Sequence, residues 1–292
     1  MIKLIASDMD GTLLNNEHKI SKENTEAIKK AEEMGIKFTI ATGRMYEDVK
    51  PLLDEYDLKC QCIVLNGGEY IDEEGKVLEG IYIEREQASE IIDIVIKESI
   101  VAEIYTNKGL YTINTKEEML TEVTYRIMAY DPETSFEDAI KLAEMHPHFV
   151  NLKYIKDIDQ FLNSDTKIGK FVAFYNDEET TLNVKRKLES IGGIAISSTF
   201  TKNIEINNKQ AQKGLILTKV AEKMGIKRDE VMVIGDSFND YSMFTQFTES
   251  FAMGNAVPHI REAAKYITDT NDNAGVAKAI YRSLNLNLKY KY

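Results

Sequence analysis

Short, uninterrupted apolar runs that stop on polar residues, with helical patterns between them, constrain this chain most. "IKLIASD" (2–8), "IKFTIATGR" (36–44), "CIVLNGG" (62–68) and "EVMVIGDS" (230–237) all have this form. A strand that is apolar on both faces is covered on both faces, which is the situation in a parallel sheet with helices packed above and below. The intervening segments read as those helices. "SKENTEAIKKAEEMG" (21–35) opens on a Ser21 cap and stops at Gly35. "MYEDVKPLLDEY" (45–56) is helical with a kink or break expected at Pro51. "KGLILTKVAEKMG" (213–225) and the short "NDYSMFTQ" (239–246) follow, and "ESFAMGNA" (249–256) and "YITDTND" (266–272) complete the alternation. A β-α-β-α order implies an α/β fold with a parallel sheet and right-handed crossovers.

The middle of the chain has a different grammar. "VAEIYTNKGLYTI" (101–113) carries an Asn-Lys-Gly hairpin signal, and "KFVAFYN" (170–176) leads through the helical "DEETTLNVKRKLES" (177–190) to "IAISSTF" (194–200). These features predict an α+β insertion with an antiparallel sheet over residues 83–200, flanked by a core made of 1–82 plus 201–292. The insertion holds 13 Lys and Arg against 21 Asp and Glu, so −8 of the net charge of −12 lies there. No part of the chain has the basic balance of a nucleic-acid binder. The most apolar helical stretch, "IIDIVI" (91–96), is interrupted by Asp93, so no membrane partner is expected. No signal peptide is expected either, and with Cys60 and Cys62 as the two cysteines the expected location is the reducing cytoplasm. Those cysteines, and His146 and His148 in "HPHF", lack companion ligands at metal-site spacing and read as ordinary structural residues.

In open parallel sheets the active crevice lies at the carboxyl ends of the strands. Here those ends carry Asp8 and Asp10, Thr42 to Arg44, Asn66 to Gly68, and Asp236 to Asp240, with Lys213 at a helix start adding positive charge. Carboxylates gathered at one point need a cation, and oxygen ligands alone favour a hard ion such as Mg²⁺. A phosphate suits what remains. Thr42 offers a hydroxyl, Lys213 a point charge, and the turn after Asp8 backbone N–H groups. Asp8 is then placed to attack phosphorus and Asp10 to handle the proton.

At these residues the chain resembles the haloacid dehalogenase superfamily, in its Cof-like phosphatase branch. The four motifs stand in order as Asp8-Met9-Asp10-Gly11-Thr12, "ATGR" with Thr42, "QKG" with Lys213, and "GDSFND" with Asp236, Asn239 and Asp240, followed by "MGNA" (253–256) and "GVA" (275–277). The resemblance implies a Rossmann-like core with an inserted α+β cap. It implies Asp8 as the nucleophile of an aspartyl-phosphate and Asp10 as acid and then base. Asp8, the Asp10 carbonyl and Asp236 correspond to Mg²⁺ ligands. Thr42, Lys213, Asn239 and the backbone at Met9 and Gly43 correspond to a phosphate cradle, Asp240 to a support for Lys213 or for the metal site, and Arg44 to a substrate contact. "NGG" stands where relatives often have Asn-Gly-Ala, and Asn207 and Asn208 where a proline turn is common; these bear on loop shape and remove no reacting group.

The implied activity is Mg²⁺-dependent hydrolysis of a small phosphorylated metabolite, a sugar phosphate or a phosphorylated cofactor such as FMN or pyridoxal phosphate. Two alternatives stay open on sequence: a phosphomutase of a sugar phosphate, and a phosphate-binding regulator without turnover. The intact Asp8, Asp10 and Lys213 weigh against the second.

Overall fold

The computed structural model describes residues 1–174, 178–197 and 203–285. In chain order its strands are β1 (Leu4–Ser7), β2 (Lys37–Ala41), β3 (Gln61–Val64), β4 (Glu69–Ile71), β5 (Val77–Gly80), β6 (Val101–Thr106), β7 (Gly109–Thr112), β8 (Lys153–Tyr154), β9 (Ile168–Phe174), β10 (Ile194–Ser197), β11 (Asn203–Asn208), β12 (Val231–Gly235), β13 (Glu249–Ala252) and β14 (Tyr266–Ile267). The chain divides into two compact units, Met1–Ile81 with Gln210–Tyr292, and Tyr82–Lys209.

The first unit is α/β. Its eight-stranded sheet has the order β14-β13-β12-β1-β2-β3-β4-β5. The strands from β14 to β3 run parallel, and β4 and β5 extend the edge antiparallel. The apolar runs read from sequence are these central strands: every residue of β1 and β12 is buried. One face is covered by the helix Lys213–Lys223, whose Ile216, Leu217, Val220 and Ala221 pack with Leu4, Ala6, Ala41, Ile63, Val231 and Val233. Gly214 lets that helix come close, because a Cβ there would lie 2.1 Å from the Ser242 carbonyl oxygen. The helix Lys22–Glu33 starts where expected, with the Ser21 side chain accepting from the Asn24 N–H. Of the kink or break expected at Pro51, the break does not occur: the helix Tyr46–Glu55 runs through it. Val49 and Leu53, on either side of the exposed Pro51, are buried and anchor both turns, and that burial outweighs the hydrogen bond proline cannot make.

The second unit is α+β. Its six-stranded sheet has the order β10-β11-β9-β6-β7-β8. All its pairs are antiparallel except β7 with β8. The Asn-Lys-Gly signal is the β6–β7 hairpin, with Gly109 at φ 107°. One face of the sheet packs Ala102, Ile104, Phe171, Ala173, Ile204 and Ile206 against Ile91, Ile92 and Val95 of the helix Arg85–Lys97, and Val184 and Leu188 of the helix Glu178–Glu189. Residues 203–208, placed with the core on sequence, form β11 of this sheet, between β9 and β10. Their alternation of apolar Ile204 and Ile206 with polar neighbours suits a sheet with one apolar face. The ends of the strands expected over 170–176 and 194–200 lie outside the described residues.

Candidate active site

β12, β1, β2 and β3 are adjacent and parallel, so the residues that follow them share one sheet edge. Asp236 follows β12, Asp8 follows β1, Thr42 follows β2, and Leu65–Gly67 follows β3. The chain leaves β1 toward β2 on one side, while β12 lies on the other, so this edge is also a topological switch point.

Lys213, the first residue of its helix, is fully buried there. Its Nζ donates to Asp8 Oδ1 at 2.7 Å and to Asp240 Oδ1 at 2.6 Å. Burial disfavours the ammonium, but Asp240 and Asp8 together outweigh that and hold it protonated. Asp240 uses its other oxygen to accept from the backbone N–H groups of Asp236 (2.9 Å) and Ser237 (3.0 Å). It thus orients Lys213 and the turn after β12 together. Gly235 makes room for it, since a Cβ at that position would lie 2.6 Å from Asp240 Oδ2.

Asp236 accepts from the hydroxyls of Thr12 (2.9 Å) and Ser237 (3.1 Å). One carboxylate oxygen from each of Asp8, Asp236 and Asp240 lies within 4.8 Å of the others. Lys213 alone does not offset the negative charge of this cluster. Burial and the charge of Asp240 push the Asp236 carboxyl up to about 6. Burial, with Asp240 again the largest neighbouring charge, raises Asp8 well above the carboxylate range. Crowded, buried oxygen ligands whose ionised forms are disfavoured fit a divalent hard cation, which would reverse that penalty.

Asp10 lies apart from this cluster in its partner and its exposure. Its half-exposed side chain is gripped by Arg44, with Nε on Oδ2 at 2.8 Å and Nη2 on Oδ1 at 2.6 Å. Arg44, expected to contact substrate, is here a bidentate clamp on Asp10. The Arg44 N–H in turn donates to Thr42 Oγ1 at 3.2 Å. Gly43 lies between the two. The Met9 side chain is buried, and its carbonyl accepts from Thr12 and Leu14 N–H in the turn after β1. Gly11 in that turn has φ 74°, and a Cβ there would lie 2.6 Å from Asp236 Oδ2. Asn239 Nδ2 donates to Asn66 Oδ1 at 3.2 Å.

Three contributors carried no role in the sequence reading. The hydroxyls of Thr12 and Ser237 fix the Asp236 carboxylate, and Asn255 of "MGNA" donates to the Gly11 carbonyl at 2.8 Å. The D-x-D-G-T and "MGNA" motifs contained Thr12 and Asn255, but the contacts span 224 and 244 residues of chain.

Comparison with known proteins shows the family to which the chain belongs. The family model described as haloacid dehalogenase-like hydrolase matches residues 5–280. The chain is 31% identical over 283 residues to phosphatase YwpJ of Bacillus subtilis, covering 94% of this chain and 98% of that protein. It is 34% identical over 276 residues to the 5-amino-6-(5-phospho-D-ribitylamino)uracil phosphatase YwtE of the same organism, covering 94% and 96%. A solved haloacid dehalogenase-like hydrolase from B. subtilis superposes with a TM-score of 0.84 at 30% identity, covering 96% of this chain and 99% of that one. The chain belongs to the haloacid dehalogenase-like hydrolases. Within that family it is a phosphatase of the Cof-like kind. Among the described residues, no helix is long and apolar enough to cross a membrane.

Proposed function

We propose that the protein is a Mg²⁺-dependent phosphatase of small phosphomonoesters that works through an aspartyl-phosphate on Asp8. The observation that carries this reading is the buried Lys213 held between Asp8 and Asp240, beside an Asp236 whose charge lacks compensation. Asp8, Asp236 and the Asp10 carbonyl would hold the ion, which when bound would neutralise phosphate charge and make phosphorus more electrophilic. Lys213 orients the Asp8 carboxylate and presents positive charge to the phosphoryl oxygens, with Thr42 and Asn239 as further donors. Attack of an Asp8 oxygen on phosphorus forms the acyl phosphate and breaks the ester P–O bond, and the departing alkoxide takes a proton from Asp10. The Asp10 carboxylate then takes a proton from the water that attacks the acyl phosphate, releasing phosphate and restoring Asp8. Arg44 engages both oxygens of the Asp10 carboxylate, so presenting the Asp10 proton to the departing oxygen in the first step requires the clamp to open.

The substrate class is a phosphorylated metabolite of modest size: a sugar phosphate or a phosphorylated cofactor such as FMN or pyridoxal phosphate. The phosphorylated ribityl chain named for the YwtE relative falls within the same class. We assign choice among leaving groups to the second unit, Tyr82–Lys209, as a cap, because the phosphate contacts named here all belong to the first. The test is phosphate release across a metabolite panel, with Mg²⁺ and with EDTA. Activity is expected with some panel members, lost in EDTA and restored by Mg²⁺. Full activity in excess EDTA overturns the metal assignment, and isomerised product without phosphate release overturns hydrolysis in favour of a mutase.

A further inference from the structure

The turn after β3 does more than end a strand. Leu65, Asn66 and Gly67 all have positive φ, at 52°, 59° and 104°. Leucine and asparagine adjacent in the left-handed region are locally disfavoured, so tertiary contacts impose the turn. Those contacts lead to three separate loops of the site. The Leu65 and Asn66 N–H groups donate to the carbonyls of Arg44 (3.0 Å) and Thr42 (2.9 Å). Gly67 abuts the start of the Lys213 helix, where a Cβ would lie 2.8 Å from the Gln212 carbonyl carbon. Asn66 Oδ1 accepts from Asn239 Nδ2 at 3.2 Å.

Asn239 stands at a short helical turn, Phe238–Asp240, and its own Oδ1 is buried without a hydrogen-bond partner among the described residues. An amide side chain can turn over, exchanging donor for acceptor. The bond to Asn66 selects one orientation: one N–H of Asn239 is committed to Asn66 and the second is left for a phosphoryl oxygen. We infer that Asn66 is a positioning residue for phosphate binding, acting through the Asn239 amide. This rests on the reading of Asn239 as a phosphate contact.

Asn66→Gly tests it, because glycine keeps the left-handed backbone and removes the acceptor. With inorganic phosphate as competitive inhibitor, Ki is expected to rise about 3- to 10-fold, the worth of one neutral hydrogen bond. KM should rise in parallel while kcat changes less, and the thermal midpoint should stay close to wild type. Asn239→Ala should raise Ki as well, and the double variant should be no worse than Asn239→Ala alone. An Asn239→Ala variant with unchanged Ki overturns the reading of Asn239, and the inference with it. A clear effect of Asn239→Ala with none from Asn66→Gly, or two effects that multiply, overturns only the role of Asn66. A fall in kcat together with thermal stability in Asn66→Gly assigns the residue to the scaffold and also overturns it.

Discussion

Replacing Asp236 with asparagine is expected to stabilise the metal-free protein while disabling it. Asp236 is 9% exposed. Burial and the charge of Asp240 raise its pKa from 3.8 to about 6. A group whose pKa is higher folded than unfolded binds more protons in the native state. Its favourable contribution is therefore complete below the unfolded pKa and is lost as pH rises through the folded one, here between about pH 4 and pH 6. At about pH 7.5 the loss amounts to about 3 kcal/mol. Asparagine carries no charge at any of these pH values. It keeps an acceptor for the Thr12 hydroxyl, and the Ser237 hydroxyl can turn to accept from the new amide. Urea unfolding in EDTA at about pH 7.5 should show the variant more stable by up to about 3 kcal/mol, with the gap closing toward about pH 4. Comparing variant with wild type cancels the carboxylates elsewhere, such as Glu79 and Asp269, whose lowered pKa values give the opposite slope. Saturating Mg²⁺ should shrink or invert the gap, because an ion stabilises only a chain that binds it. Wild type equal to or more stable than the variant at about pH 7.5 in EDTA would refute the charge-crowding argument.

Asp8→Asn should lower turnover at least about 10³-fold, measured as phosphate release, because an amide does not attack phosphorus. Asp10→Asn should slow alkyl phosphates far more than activated aryl phosphates and leave an acid-stable aspartyl-phosphate detectable by mass spectrometry; equal losses on both esters would contradict its role. Arg44→Ala frees the Asp10 carboxylate from its clamp and should slow breakdown of that intermediate about tenfold in a quench-flow assay, a general-base loss; a change confined to KM would return Arg44 to substrate contact. Gly214→Ala should cost about 1–3 kcal/mol in urea unfolding, since its Cβ would meet the Ser242 carbonyl at 2.1 Å; unchanged stability would mean that the helix is not held against that backbone.

What could be read directly from sequence was local or periodic. Fully apolar runs marked the strands of the parallel sheet, because a strand covered on both faces has no polar side to alternate. Polar residues that interrupt those runs at their carboxyl ends marked Asp8, Thr42 and Asp236, because a carboxylate or hydroxyl beside buried strands is costly unless it serves something. Gly11 and Gly214 were visible as letters, but their reason was not: each gives way to an atom contributed by a distant segment, whereas Gly235 makes room for Asp240 in the turn that follows it. The strand order was likewise hidden. Alternation implies parallel strands, yet not that β12 inserts beside β1 and so brings Asp236 to Asp8. The assignment of 203–208 depended on its partners, β9 and β10, which no local propensity names. Only the folded chain decided that Arg44 clamps Asp10 across 34 residues, that Asp240 spends its second oxygen on the backbone of the turn after β12, and that Asn66 meets Asn239 across 173. Motif spacing points to the groups proposed to carry the chemistry, but hydrogen bonds act over about 3 Å, so the partner each group takes is settled where the chain returns to the same sheet edge.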